Sequence, residues 1–382
     1  MGRGTVLVLG GGVAGQVAAD RLGRHRSNGG RVVVVDRLAA VSFSSALPWV
    51  ITGRRQPAAV TRPLARLARR GVETRTADIT AIDLAGRTVV TSDGAEPFDK
   101  LLVALGAELA PGLVPGWDGA ALNAYTLEGA EQIHRALAAF SGGRIAIVIA
   151  SLPFKCPAAP YEIAMLVRET VARRGLAATV AVYTPETLPM PTAGPAVGEA
   201  LRGMLGQAGI EYHPRHTVAA VDGQARTLAF AEGATASYDL LIGVPPHRAP
   251  AVIRESGLAG PKGWIAVDRA TMATAHPGIY AVGDATGIPL DGGFMLPKAG
   301  VFAHHQAEVA VANILAELDG RTPAARFDGR GWCAIETGGG RAGFGSGDFY
   351  AAGGPRVTLY RPARWWHWAK VLFERWWLWR WL

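Results

Sequence analysis

Residues 6–15 read V-L-V-L-G-G-G-V-A-G, and this short stretch determines the architecture of the chain. Four aliphatic residues predict a buried parallel strand, and a G-x-G-x-x-G turn that opens a helix follows them. A second aliphatic run, Arg31 to Val35, ends at Asp36, about twenty residues beyond the turn. Together these features predict a βαβ unit that binds a dinucleotide.

Each residue of the turn has a physical role in such a unit. Gly10 allows the tight turn, Gly12 lets backbone amides approach a pyrophosphate, and Gly15 lets the helix pack against the strand. The helix N-terminus stabilises the phosphate charge, and Asp36 accepts hydrogen bonds from ribose hydroxyls. The motif alone does not distinguish FAD from NAD.

Length and composition limit the other possibilities. The chain has 382 residues, which favours two α/β units and an extension. The net charge is +8, but no nucleic-acid-binding motif is present, so we expect no nucleic-acid partner. Two cysteines are too few for a zinc site or a secreted disulfide framework. We also expect no metal, no signal peptide and no spanning helix.

A second α/β unit begins at the buried strand Ile145–Ala150, where its turn departs from the dinucleotide pattern. The glycine-rich turn is replaced by S-L-P-F-K-C-P-A-A-P-Y-E at residues 151–162, which holds Cys156. From the residues alone, Cys156 and Cys333 are either two inert core thiols or one redox pair. Glu162 is either a first-turn carboxylate favoured by the helix dipole or a proton acceptor near Cys156.

Periodicity predicts the remaining elements in chain order. Helices are predicted at 127–140, 161–174 and 197–207, and a loop at 42–53. Strands are predicted within 72–82 and at 87–91, 101–105, 179–183, 228–231, 238–244, 264–267 and 276–284. The predicted domains are residues 1–110 with 263–325, residues 111–262 with Cys156, and residues 326–382 with Cys333.

Five stretches together resemble one family. They are the G-x-G-x-x-G with Asp36, Y-A-V-G-D-A at 280–285, L-P-K-A-G at 296–300, F-K-C-P-A-A-P-Y-E at 154–162, and G-W-C-A-I-E-T-G-G-G at 331–340. Y-D-L-L-I-G-V-P-P-H-R-A-P at 238–250 is similar to a strand end of the same family. The chain resembles the sulfide:quinone oxidoreductase and flavocytochrome c sulfide dehydrogenase group of flavoproteins with two Rossmann-like dinucleotide-binding domains.

The resemblance implies an α/β fold with non-covalent FAD, because Ser44 and Ser45 stand where flavocytochrome members have a flavin-linked cysteine. Asp284 then binds the ribitol and pyrophosphate region, and Lys298 lies near the flavin pyrimidine edge. The implied cofactor-binding residues are Gly10, Gly12, Val13, Ala14, Gly15, Asp36, Arg37, Ser44, Ile79, Ala104, Gly106, Gly283, Asp284 and Lys298.

The resemblance also implies the chemistry. Cys156 and Cys333 form a redox pair that oxidises sulfide to sulfane sulfur or polysulfide, Glu162 carries protons, and a quinone accepts the electrons. Phe344, Phe349 and Tyr350 are candidates for the quinone entrance. Quinone-linked members often carry a third cysteine, and this chain has none at Asn123–Thr126.

The last twenty-two residues, 361–382, contain seven of the eleven tryptophans. At helical spacing, Arg364, His367, Lys370, Glu374 and Arg375 lie on one side, and Trp365, Ala369, Leu372, Phe373, Trp376 and Trp379 on the other. Such a helix lies in a membrane interface, and its predicted membrane residues are Trp365, Trp366, Trp376, Trp377 and Trp379. We therefore predict a peripheral, monotopic protein on the cytoplasmic face of a prokaryotic membrane, and a homo-oligomer is compatible with this.

Three alternatives stay open. The first is an NADH:quinone oxidoreductase of the type II kind, which needs a second glycine-rich turn after Ile149. The second is a sulfide dehydrogenase subunit that passes electrons to a cytochrome c. The third is a non-catalytic, membrane-docked flavoprotein, which an inert Cys156 would favour.

Overall fold

The computed structural model describes residues 4–25 and 30–381, so Leu382 at the end of the predicted tail lies outside the described residues. Two five-stranded parallel sheets dominate the described chain, and a three-stranded antiparallel sheet and a long helix follow them. The predicted α/β class with two Rossmann-like units is confirmed.

The strands are numbered in chain order. They are β1 Thr5–Leu9, β2 Arg31–Asp36, β3 Ala40–Ser42, β4 Thr61–Pro63, β5 Glu73–Thr76, β6 Ile79–Asp83, β7 Thr88–Thr91, β8 Gly94–Pro97, β9 Lys100–Val103, β10 Glu108–Leu109, β11 Leu122–Asn123, β12 Gly143–Ile149, β13 Ala178–Tyr183, β14 Ile210–His213, β15 Val218–Asp222, β16 Thr227–Phe230, β17 Thr235–Ser237, β18 Leu240–Val244, β19 His247–Arg248, β20 Ile279–Ala281, β21 Arg330–Gly338, β22 Arg341–Asp348 and β23 Arg356–Ala363.

The helices connect these strands. They are α1 Val13–Arg24, α2 Leu47–Ile51, α3 Pro57–Val60, α4 Leu127–Ala139, α5 Ala159–Arg173, α6 Pro195–Gln207, α7 Ala251–Glu255, α8 Gly300–Leu318 and α9 Arg364–Arg380.

The first sheet has the order β20-β9-β1-β2-β5, with every pair parallel. Its central strands are buried on both faces, which explains their unbroken aliphatic sequences. Helices α1 and α8 pack against each other beside this sheet. Strand β20 comes from residues 279–281, so the chain returns to this sheet after building the second unit.

The second sheet has the order β11-β18-β12-β13-β14 and is also parallel. The fully buried end of β12 leads into the loop that holds Cys156, and α5 follows that loop. The short antiparallel pair β10-β19 lies where the chain passes between the two units. The division of the chain at residues 110, 262 and 325 stays a prediction.

The C-terminal sheet β21-β22-β23 is antiparallel, and α9 packs against it. Strand β21 also packs against α5, so the segment with Cys333 lies beside the segment with Cys156. No helix among residues 4–25 and 30–381 is long and apolar enough to cross a bilayer.

Most predicted elements lie within two residues of their observed bounds, but three predictions are wrong. Residues 264–267 form no strand, because Gly263 makes a turn and Ile265 takes part only in isolated bridges. The predicted loop 42–53 contains α2, since Pro48 fits the first turn of a helix. The predicted strand 276–284 is shortened to β20, and Gly283–Ala285 forms a 3-10 turn.

Candidate active site

The glycine turn between β1 and α1 has the geometry that the motif predicts. Gly10 has a φ of +98°, and a Cβ there would overlap the carbonyl oxygen of Ala104. A Cβ on Gly15 would overlap the carbonyl oxygen of Gly10, so the helix can pack this closely only without a side chain. A Cβ on Gly12 would meet nothing within 4 Å, so the backbone there is open to a ligand.

The other predicted nucleotide-side residues border this turn. One carboxylate oxygen of Asp36 accepts the N–H of Gly11 at 2.6 Å, which holds the acid beside the turn. Arg37 follows it and is exposed, Ser44 is exposed in the 3-10 turn before α2, and Ile79 is half-buried at the start of β6. Ala104 and Gly106 follow β9, next to β1 in the same sheet.

The two predicted flavin motifs meet at one place. The N–H of Gly283 donates to Oε1 of Gln306 at 2.7 Å, and a Cβ on Gly283 would lie 3.9 Å from Cβ of Ala14. A Cβ on Gly300, at the start of α8, would lie 3.8 Å from Val13, at the start of α1. Two helix N-termini are therefore adjacent, which suits the phosphates of a dinucleotide such as FAD.

Asp284 and Lys298 line a cleft beside these helix N-termini. Burial raises the pKa of Asp284, although Lys298 and Lys155 oppose the rise. The ammonium of Lys298 donates to the carbonyls of Asp284 at 2.7 Å and Thr286 at 3.1 Å and lies 3.3 Å from the ring centre of Trp264. Burial lowers the pKa of Lys298 to about 7, so a small change in its surroundings alters its charge.

The loop with Cys156 is hydrogen-bonded to the second flavin motif. The N–H of Cys156 donates to the carbonyl of Lys298 at 2.6 Å, and the hydroxyl of Tyr125 donates to the carbonyl of Cys156 at 3.2 Å. Cys156 has a φ of +50°, which is uncommon outside glycine and asparagine. The thiol loop therefore occupies the place where a second dinucleotide turn would lie, and it is joined to the predicted flavin site.

Cys156 and Cys333 are free thiols in one electrostatic neighbourhood. Burial raises the pKa of Cys156, and the nearby charge of Cys333 raises it further. Burial raises the pKa of Cys333 to about 11, and Lys370 opposes this rise. Because the thiolate is the reactive form, both groups need a proton acceptor close by before they can act as nucleophiles.

Glu162 is placed to exchange that proton. It lies in the first turn of α5, is buried, and pairs with the ammonium of Lys370 from α9. Burial raises the pKa of Glu162 to about 7, against the effect of Lys370. Burial alone would lower the pKa of Lys370, but Glu162 and Glu336 outweigh it, so Lys370 stays protonated. The carboxyl can therefore gain or lose a proton near neutral pH.

Sequence reasoning missed Lys370, because a charged residue on an amphipathic helix suggests a solvated face. The available signal was its rarity, since the chain has only five lysines, Lys100, Lys155, Lys262, Lys298 and Lys370. Three of these five are buried around the two cysteines and Asp284. In a chain with so few lysines, each one warrants a search for its partner.

His247 is a second missed residue. Its Nδ1 lies 2.8 Å from the carbonyl of Pro245, and its buried Nε2 has no hydrogen-bond partner among the described residues. Burial, together with Lys155, lowers the pKa of His247 to about 3, so the ring is neutral and Nε2 is an acceptor. Its ring packs edge-on against Tyr125 at 5.4 Å, close to the Cys156 loop.

The structure does not bring the three predicted quinone residues together. Phe344 stacks on Trp366 at 4.3 Å, under the start of α9. Phe349 is buried against Phe302, and the hydroxyl of Tyr350 donates to the carbonyl of Arg269 at 2.8 Å. Phe344 alone lies beside the Trp-rich helix.

Helix α9 presents its tryptophans outward and its charges inward. Trp365 is 68% exposed, Trp379 is 77% exposed, and Trp376 is also exposed, while Trp366 is half-buried. Trp377 is only 3% exposed because it packs against Phe43 and His304, so its assignment to a membrane surface is wrong.

The second parallel sheet offers little to a second dinucleotide. Glu186, which follows β13 where an acid would bind a ribose, is buried and accepts hydrogen bonds from Tyr161 and Thr184. The adjoining turn holds buried Phe154 and the Cys156 loop in place of glycines.

Comparison with known proteins agrees with this architecture. Residues 4–311 match the model of the pyridine nucleotide-disulphide oxidoreductase family. The mitochondrial sulfide:quinone oxidoreductase of Mus musculus is 23% identical over 346 residues, which cover 87% of this chain and 75% of that protein. The demethylphylloquinone reductase NdbB of Synechocystis sp. is 27% identical over 336 residues, with 84% and 81% covered.

Among solved structures, the sulfide:quinone oxidoreductase of Aquifex aeolicus superposes with a TM-score of 0.89 at 23% identity, covering 99% of this chain and 91% of that chain. The resemblance predicted from the cysteine and flavin motifs is therefore confirmed in both sequence and fold.

Proposed function

Because this chain belongs to the pyridine nucleotide-disulphide oxidoreductase family, we propose that it is an FAD-dependent sulfide:quinone oxidoreductase. One observation carries the proposal. The Cys156 loop takes the place of a second dinucleotide turn and is hydrogen-bonded to Lys298 of the predicted flavin motif. The similarity to sulfide:quinone oxidoreductases from Mus musculus and Aquifex aeolicus supports the same activity.

The residues present fit FAD. The open backbone at Gly12 and the adjacent starts of α1 and α8 suit its pyrophosphate, Asp36 suits the adenosine ribose, and Asp284 suits the ribitol. When bound, FAD supplies a two-electron acceptor that can be reoxidised by a quinone. Lys298, whose pKa is lowered to about 7, can adjust its charge as the charge beside it changes.

The cysteines supply the sulfur chemistry. When they are joined as a disulfide, HS⁻ attacks one sulfur, the S–S bond breaks, and the products are one persulfide and one thiolate. The leaving thiolate is a poor leaving group because burial raises the pKa values of both thiols. Glu162 lowers this barrier by donating its proton to the leaving sulfur, and Lys370 stabilises the negative charge left behind.

Helix α9 is proposed as the membrane contact. Its exposed face combines Trp365, Trp368, Leu372, Trp376 and Trp379, a large apolar surface with indole N–H groups that suit the lipid interface. A quinone dissolved in the bilayer would reach the protein beside this helix, where Phe344 and Trp366 stack. The product, the membrane side and a homo-oligomeric state remain predictions from the sequence.

An NADH:quinone oxidoreductase is the second candidate, because a demethylphylloquinone reductase is among the similar proteins. Against it, the second sheet has no glycine turn, and Glu186 is already engaged with Tyr161. Transfer of electrons to a cytochrome c is opposed by the lipid-suited face of α9, and a non-catalytic role is opposed by the pairing of Glu162 with Lys370 beside two thiols.

The decisive experiment is anaerobic. Purified flavin-loaded protein is mixed separately with sulfide and with NADH while the visible absorbance of the flavin is followed. We expect sulfide to bleach the flavin, NADH to leave it oxidised, and a quinone analogue to restore the absorbance. Bleaching by NADH alone would establish the second candidate, and no bleaching by either would favour the non-catalytic one.

A further inference from the structure

Four ionisable side chains from three elements form one cluster beside the thiols. Glu162 of α5 pairs with Lys370 of α9 and also accepts a hydrogen bond from the backbone N–H of Glu336 on β21. Nδ1 of His367, one turn before Lys370, lies 2.8 Å and 3.0 Å from the two carboxylate oxygens of Glu336. The charges of both carboxylates act on Lys370, so it joins the two ends of the cluster.

Exposure changes in one direction along this cluster. Glu162 and Lys370 are buried, and Glu336 is 0% exposed. The side chain of His367 is 18% exposed and is the cluster member that water reaches most easily. Histidine exchanges protons with water near neutral pH. The cluster therefore has a solvent end at His367 and a buried end at Glu162, beside Cys156 and Cys333.

The other charged contacts of α9 differ in kind. Glu374 pairs with Arg55, and Arg380 pairs with Asp20. Next to them, Arg54 pairs with Glu169. A guanidinium does not release its proton in proteins, so these pairs fix the helix in place without moving protons. On the described part of α9, the contacts of His367 and Lys370 are the ones whose two partners can both exchange a proton.

The proposed reaction needs a proton from water. With HS⁻ as the substrate it balances as HS⁻ + H⁺ + quinone → S⁰ + quinol, in which sulfide loses two electrons and the quinone gains two electrons and two protons. A buried Glu162 that has given its proton to a leaving thiolate must be reprotonated before the next turnover. Its own carboxyl is shielded from solvent, so a path through the protein is required.

We infer that Glu336 and His367 form this path, and that they pass protons from water to Glu162 across the ammonium of Lys370. His367 takes a proton from water and gives it to Glu336. Lys370 gives a proton to Glu162 and regains one from Glu336, so that no net charge moves on the lysine. This inference rests on the proposed function, and both residues act through Glu162.

The test compares three variants of the full, flavin-loaded protein. Glu336→Gln and His367→Gln keep hydrogen-bonding groups of similar size but cannot carry a proton. Glu374→Gln is the matched control, because it removes a buried carboxylate of the same helix that pairs with Arg55. The rate of anaerobic flavin bleaching by sulfide is measured from pH 6 to pH 8.5. Iodoacetamide labelling of Cys156 and Cys333 checks that the thiols remain accessible.

We expect Glu336→Gln and His367→Gln to slow bleaching about tenfold or more at pH 8, where water supplies few protons, and much less at pH 6. Glu374→Gln should keep the pH profile of the unsubstituted protein. Imidazole should restore the rate at pH 8 in a His367→Ala variant, which a purely structural role of His367 would not allow.

Two results would overturn the path. One is a pH profile in Glu336→Gln and His367→Gln identical to that of the unsubstituted protein. The other is an equal slowing at all pH values in these variants and in Glu374→Gln, without rescue by imidazole, which would mean that α9 had merely shifted. If sulfide bleaches no form, including the unsubstituted protein, the proposed function fails and the path fails with it.

Discussion

Burial determines the chemistry of the individual residues at the candidate site. Cys156, Cys333 and Glu162 all have pKa values raised by removal from water, and the one nearby group that favours negative charge is Lys370. Residue identity was readable from the motifs, so both cysteines and Glu162 could be predicted. The partner Lys370 could not, because no sequence motif links residue 162 to residue 370.

The first residue-level prediction concerns the thiols. Cys156→Ser and Cys333→Ser should each keep bound FAD and lose sulfide-driven bleaching to the background rate, because the persulfide cannot form on a hydroxyl. The absorbance spectrum reports flavin content, and the anaerobic sulfide reaction reports activity. Full activity in both variants would disprove the thiol mechanism.

The second prediction concerns Glu162 and pH. Its pKa is about 7 in the folded protein, above its usual value, so the folded state holds a proton that the unfolded state releases. This contribution favours folding at low pH and is lost as pH rises from about 4.5 to about 7, by at most about 1.4 kcal/mol per pH unit. In Glu162→Gln, denaturant unfolding should show a flatter pH dependence over that window.

Glu199→Gln is the control for Glu162→Gln, because Glu199 lies on the surface of α6 and pairs with Arg202. Its pH dependence of unfolding should follow that of the unsubstituted protein. An unchanged slope in Glu162→Gln would show that Glu162 does not take up a proton in this range.

A third prediction separates two glycines that both lie in helices. Gly15→Ala should prevent FAD binding and lower the free energy of unfolding, because its Cβ would overlap the carbonyl oxygen of Gly10. Gly203→Ala, in α6, should raise that free energy by about 0.4–1 kcal/mol, because its Cβ meets nothing within 4 Å. Flavin content and denaturant unfolding of the two variants give the comparison.

At the scale of elements, α9 shows where pattern analysis succeeds and where it stops. The helix and its two faces could be predicted from spacing, and the tryptophan face does point away from the protein. The charged face, which the pattern assigns to water, is instead packed on the protein through Lys370, Glu374 and Arg380. Periodicity reports that two faces differ but not which one meets the rest of the chain.

The element-level prediction tests the tryptophan face. Changing Trp365, Trp376 and Trp379 to Ser should abolish sedimentation with liposomes while leaving the thermal midpoint unchanged, because these side chains are exposed. Deleting the helix would be a poorer test, since it also removes Lys370. A matched control changes Leu38, Val90 and Leu113 to Ser, which are exposed apolar residues elsewhere. Equal liposome binding by both triple variants would exclude α9 as the membrane contact.

At the scale of the whole molecule, the two parallel sheets could be predicted because buried parallel strands have unmistakable aliphatic runs. The C-terminal antiparallel sheet was not predicted. Strands β21 and β22 carry five glycines between Gly331 and Gly347 and alternate weakly, so their residues do not show the usual period of two. The meeting of β21 with α5, which brings Cys333 to Cys156, is a long-range contact that local patterns do not encode.

Strand β20 also sets an order of events during protein synthesis. A nascent chain that has left the ribosome up to β11 contains four strands of the first sheet but lacks the fifth, which is residues 279–281. Helix α8, which packs on α1, is made later still. The second unit can therefore fold while the first one waits with an open edge beside β9, and a truncated message yields a chain whose N-terminal half cannot be finished.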